Sequence, residues 1–257
     1  MKSISVILFN TWTGLCAIAL AEQTHLLTGD ALTLGPLEGF VFGGALFAYN
    51  IIRRDPLPRL LAWAFGALAL VCLVNLPRYT QAAAVVPFVA WGLYYGALGF
   101  VNVRLRTIAY LKPATVALVW AWVTVLLPLS SGQWVSALVL FAGRVAFLFA
   151  LAFACDVCDA PLDTKHGLDT LAVRLHGKPS LRLIDTALAL SAGCVAINWL
   201  LGNYPATISA TLIVTLIVAA FLLRLIFSAR IDARVQKATI DGVMLLQFVA
   251  LWIVTRV

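Results

Sequence analysis

Apolar residues run along this chain in stretches close to twenty long, separated by short polar segments. Nine such stretches stand out, near 3–21, 36–52, 60–77, 83–100, 113–129, 134–155, 181–201, 206–228 and 238–256. An α-helix rises about 1.5 Å per residue, so each stretch is roughly the length that crosses the hydrocarbon core of a bilayer. The pattern predicts an all-α polytopic membrane protein, a bundle of nine transmembrane helices. No linker rich in Pro, Gly or Ser interrupts it and no internal repeat is visible, so residues 1–257 read as one transmembrane domain.

Composition agrees with that solvent. Of the 257 residues, 63% are hydrophobic and 11% charged, whereas a soluble domain carries about a quarter charged residues. The net charge of +7 does not come from one basic tract, and nucleic acid is not expected as a partner. Lys and Arg instead alternate between the two sets of connecting segments. One set holds Lys2, Arg53, Arg54, Arg59, Arg104, Arg106, Lys112, Lys165, Arg174, Lys178, Arg182, Arg224, Arg230, Arg234 and Lys237. The other holds Arg78 and Arg256, with the acidic Glu22, Asp30 and Glu38. Basic loops stay on the cytoplasmic side during insertion, which predicts a cytoplasmic N-terminus and an external C-terminus in an inner (cytoplasmic) membrane. Asn10, Thr11 and Thr13 interrupt the first stretch, favouring a retained span over a signal peptide cleaved after Ala21.

The long polar connections 101–112 and 156–180 both fall on the basic side, so chemistry is expected to face the cytoplasm. The sharpest chemical feature opens the second of them: Asp156-Val157-Cys158-Asp159-Ala160-Pro161-Leu162-Asp163. Acids at i, i+3 and i+7 share one face of a helix, although Pro161 would bend that helix. Three clustered carboxylates repel one another unless a cation neutralises them, and Mg²⁺ is commonly held by a few carboxylates together with substrate phosphates. Solvated acids paired with Lys165 and Arg174 are the plainer account. Arg104, Arg106, Lys112, Lys165 and Arg174 fall on the same side and could clamp a diphosphate; each is equally an ordinary topology signal. Arg144 lies about 18 Å along the helix from Asp156, and needs an internal partner such as Asn75, Asp241 or Gln247. Cys155 and Cys158 form a C-x-x-C without the further Cys or His that a zinc set needs.

These acids, followed by Gly167 and by Thr170-Leu171-Ala172-Val173-Arg174-Leu175-His176-Gly177, resemble the second signature of the UbiA superfamily of intramembrane prenyltransferases. The segment from Arg104 to Pro113 looks like a loop of small bacterial members. The resemblance spans most of the chain. It implies Mg²⁺-dependent transfer of a prenyl group from a prenyl diphosphate to an acceptor, with lipid surrounding the site. Asp156, Asp159 and Asp163 would be the catalytic metal ligands, assisted by Asn50, and Arg104, Arg106, Lys112, Lys165 and Arg174 would bind the diphosphate. Trp91, Tyr94 and Tyr95 are candidates to shield a cation-like allylic carbon.

The first family signature departs from pattern. Asn50 fits its first position, but Arg54 and Pro58 stand where further acids belong, and Asp55 is off register. A shift of one residue turns a helical side chain by about 100°. The departure keeps a second reading open: a non-catalytic UbiA-like protein that binds lipid or serves with other protein subunits in a membrane complex. A transporter using Arg144 and the acids is a third, but the uniformly apolar spans offer little to line a polar route.

Overall fold

The computed structural model describes residues 2–32, 34–52, 59–95, 111–129, 131–134, 137–228 and 232–256, and among these every regular element is helical. In chain order they are α1 (Lys2–Thr28), α2 (Pro36–Ile52), α3 (Arg59–Val74), α4 (Arg78–Tyr95), α5 (Leu111–Ala121), α6 (Leu138–Lys165), α7 (Leu171–Leu175), α8 (Lys178–Leu200), α9 (Ala206–Ser228) and α10 (Ala233–Val254). A π-helical turn, Trp122–Leu126, continues α5, and a 3₁₀ turn spans Ser131–Gln133.

Four helices, α6, α8, α9 and α10, are long and apolar enough to cross a membrane by length and composition, and Leu60–Val74 and Leu111–Leu126 are shorter apolar helices. Large apolar side chains such as Leu190, Ile217 and Phe221 are exposed on α8 and α9, as expected where the outer solvent is lipid rather than water. The protein is a multi-pass membrane protein.

The helices close on themselves. α1 packs on α10, α10 on α9, α9 on α8, α8 on α6 and α6 on α5, and the π turn returns to α1. α6 also touches α10 across this circuit, while α2 leans on α1 and carries α3 with it. Apolar burial gives little drive for helices to associate within lipid, so polar rungs and close backbone approach carry more of the specificity. Both are present. Trp12 Nε1 donates to the Ala238 carbonyl at 2.9 Å, and Gln23 Nε2 to Gln247 Oε1 at 3.0 Å. Thr24 Oγ1 donates to the Thr124 carbonyl inside the π turn at 2.6 Å. Gly43 of α2 faces α3 so closely that a Cβ there would stand 2.7 Å from the Phe65 carbonyl oxygen.

Arg144 is buried, 4% exposed, and its Nη1 donates to the Leu20 carbonyl of α1 at 3.0 Å. The side chains expected to pair with it have other partners. Asn75 is exposed and bonds to Val71 of its own helix, Asp241 accepts from Thr13, and Gln247 reaches Gln23 and Thr215. A backbone carbonyl on a neighbouring helix therefore takes the role assigned to a side chain.

Candidate functional site at the end of α6

α6 does not stop at its polar residues. It runs through Asp156, Asp159 and Pro161 to Lys165 without a break, so all three acids ride on one helix. A Schellman turn ends it. Leu168 N–H bonds to the Asp163 carbonyl at 2.9 Å and Gly167 N–H to the Thr164 carbonyl at 3.1 Å. Gly167 takes φ +68°, the left-handed conformation that glycine adopts without a Cβ penalty. The chain then turns back into α7, where Thr170 caps the helix by accepting from Val173 N–H.

Asp156 and Asp163 lie seven residues apart, nearly two full turns, and point the same way. Both are 7% exposed. The Lys112 ammonium, from the first turn of α5, sits between them, 2.5 Å from Asp156 Oδ1 and 3.9 Å from Asp163 Oδ2. That Asp163 oxygen is buried without a hydrogen bond. Asp159 leans to the other side, toward α10. There Lys237 Nζ donates to both of its oxygens, at 2.6 and 2.8 Å. Three carboxylates thus meet two ammonium groups from two different helices.

The shared face expected of the acids is therefore divided. Asp156 and Asp163 converge on one cation, and Asp159 has its own. Among the described residues no group of three or more Asp, Glu, His or Cys side chains surrounds a common metal position. The arrangement fits a divalent ion of the Mg²⁺ type held by one or two carboxylates, because such ions complete their shell with water and phosphate oxygens. The convergence of Asp156 and Asp163 on a single ammonium, with one buried oxygen lacking a donor, is the observation behind that fit.

The other residues singled out in the sequence divide as follows. Lys112 belongs to the site. Tyr94 is buried in α4, within electrostatic reach of Lys112. The Trp91 ring packs 6.4 Å from Phe47. Asn50 is buried on the last turn of α2. Lys165 is exposed at the C-terminal end of α6. Arg174 is also exposed; it grips Asp169, with Nε 2.8 Å from Oδ1 and Nη2 2.5 Å from Oδ2. Those hydrogen bonds hold the Asp169 carboxyl below the usual carboxylate range. Arg53, Arg54, Asp55, Arg104 and Arg106 lie outside the described residues, as does the Tyr95 side chain. Cys155 and Cys158 are free thiols. Lys237 was not singled out, because 78 residues separate it from Asp159. The single sequence signal was its place among the basic residues flanking the last apolar stretch.

No family model and no curated protein matches this chain by sequence. Solved structures do match by shape. A UbiA homolog from Aeropyrum pernix K1, in its apo form, superposes with a TM-score of 0.64 at 15% identity, over 92% of this chain and 96% of that one. Digeranylgeranylglyceryl phosphate synthase superposes with a TM-score of 0.59 at 13% identity, over 99% of this chain and 98% of that one. At such identities the likeness speaks for architecture, and it extends over nearly the whole length of each chain. The helical circuit described above is that of the UbiA fold.

Proposed function

We propose that this protein is a membrane-embedded prenyltransferase that transfers a prenyl group from a prenyl diphosphate to an acceptor with the help of Mg²⁺. Its nine apolar stretches would be the spans of one domain covering residues 1–257, with the N-terminus and the acid end of α6 in the cytoplasm. The observation that carries the reading is the meeting of Asp156 and Asp163 on one cation at the end of a helix in a UbiA-type bundle.

In this reading Asp156 and Asp163 would hold the metal from the face they share, and Asp159, once free of Lys237, and Asn50 of α2 would assist. A bound Mg²⁺ would supply charge neutralisation for the departing diphosphate. The chain's own groups do the remainder. Lys112 and Lys237 offer N–H donors to phosphate oxygens, and charge-assisted bonds of this kind are about twice as strong as neutral ones. Arg104, Arg106, Lys165 and Arg174 would add positive charge from the same side of the membrane. Tyr94 would offer its ring to the cation-like allylic carbon, since a ring face attracts a cation.

A second reading has its own support. The two lysines already offset most of the acids' charge, and the acids do not surround one point. A lipid-binding or structural member of a membrane complex would need no more.

Binding of geranylgeranyl diphosphate to the purified protein separates the two readings, with a shorter prenyl diphosphate run alongside. Mg²⁺-dependent binding that disappears in Asp156→Ala/Asp159→Ala is expected of the enzyme. Binding of neither donor, or binding indifferent to metal and mutation, would sink that reading in favour of the structural one.

A further inference from the structure

Lys112 and Lys237 share a position in the fold. Each projects from a helix flanking α6, one from α5 and the other from α10, and each ends on carboxylate oxygens at 2.5–2.8 Å. Lys237 spans both oxygens of Asp159, the way a cation sits on a bidentate carboxylate. Lys112 bridges Asp156 and Asp163. Around Lys112 the acids are the less accessible partners: the side chains of Asp156 and Asp163 are each 10% exposed, that of Lys112 23%. Lys237 and Asp159 are alike, at 28% and 30%. The lysines are long, flexible and part-wetted; the acids are fixed on a helix.

A divalent ion that approaches these acids alone must evict ammonium groups that then have no counter-charge. Stranding a charge at a partly buried site is costly. A diphosphate removes that obstacle, since its oxygens accept the same N–H donors. We infer that Lys112 and Lys237 are resident counter-cations: they keep a divalent ion off the acids until a diphosphate arrives, then move from carboxylate to phosphate. The inference rests on the diphosphate-binding reading above and adds a rule to it. Divalent ion and diphosphate bind together, each raising the affinity for the other by the same factor. Lys237 becomes a residue that sets the order of loading and afterwards holds the substrate.

The test measures binding rather than turnover. Full-length protein in detergent is dialysed to equilibrium against Mn²⁺, against radiolabelled inorganic pyrophosphate, and against both, and retained metal and label are counted. The variants are Lys237→Met, Lys237→Gln as a second neutral form, and Lys237→Arg, each checked for an intact thermal transition. The wild type should retain Mn²⁺ weakly alone and strongly with pyrophosphate. The neutral variants should bind Mn²⁺ alone about tenfold more tightly, within the usual range of coupling between sites, and lose most of the enhancement by pyrophosphate. Lys237→Arg should behave as the wild type. Equal Mn²⁺ affinity in the wild type and both neutral variants would overturn the inference while leaving the metal site standing. If folded protein retains neither metal nor pyrophosphate under any condition, the diphosphate reading falls and the inference falls with it.

Discussion

Asp163 and Asp156 meet the same ammonium group although seven residues separate them, and Asp163 stands the farther off, at 3.9 Å against 2.5 Å. The asymmetry makes Lys112 chiefly a partner of Asp156, with Asp163 a second acceptor held in reserve.

Removing that ammonium leaves two buried carboxylates facing each other. Lys112→Met is expected to cost roughly 3 kcal/mol, as when one partner of a buried pair is deleted. Lys112→Met/Asp156→Asn should recover part of the loss. Thermal unfolding in detergent of the two single variants and the double variant gives the coupling; strictly additive losses would show that the pair does not interact.

Arg144 is a structural residue in this fold, tied to the Leu20 carbonyl and within electrostatic reach of Tyr204. A long apolar side chain could fill the same space without burying a charge, and such exchanges are often neutral or stabilising. Arg144→Met should therefore unfold at or above the wild-type temperature and bind prenyl diphosphate unchanged, whereas Arg144→Ala should unfold earlier because it leaves a hole. Loss of diphosphate binding in a folded Arg144→Met protein would place Arg144 in a substrate path instead.

Gly43 permits backbone contact between α2 and α3. A Cβ at this position meets the Phe65 carbonyl at 2.7 Å and the Ala69 nitrogen at 3.1 Å, and neither is a side chain that can swing away. Gly43→Val should destabilise by about 1–3 kcal/mol, in the range of overpacked cores. Gly44→Val, next to it with open space around its Cβ, serves as the control in the same unfolding assay, and equal effects at both positions would refute the close approach.

Much of the fold was legible from hydropathy. The apolar stretch at 36–52 coincides with α2, and that at 206–228 with α9. Boundaries failed where polar residues are buried. α1 extends to Thr28, beyond the apolar run, because Gln23 and Thr24 find partners inside the bundle on α10 and the π turn. α6 extends to Lys165 because Asp156 and Asp159 find lysines on its neighbours. Hydropathy treats such residues as loop, and what makes them helical is a partner remote in sequence. The same limit applied to the candidate site. Spacing along one helix located the acids and the alternation of charge put Lys112 on the same side of the membrane, but no local pattern shows that α10 returns beside α6, so Lys237 stayed hidden. The partner of Arg144 was missed for a related reason: a carbonyl carries no side-chain identity to read.

The seating of the last helix beside the first bears on how the chain matures. α1 is synthesised well before α10, yet Trp12, Thr13 and Gln23 are matched by Ala238, Asp241 and Gln247 of that later helix. Asp159 likewise waits for Lys237. Until α10 is made, these polar groups of α1 lack those partners, and the acid site has one of its two lysines. A chain that stops before residue 233 would lack the α10 partners of Trp12, Thr13 and Gln23 and would leave Asp159 without its lysine.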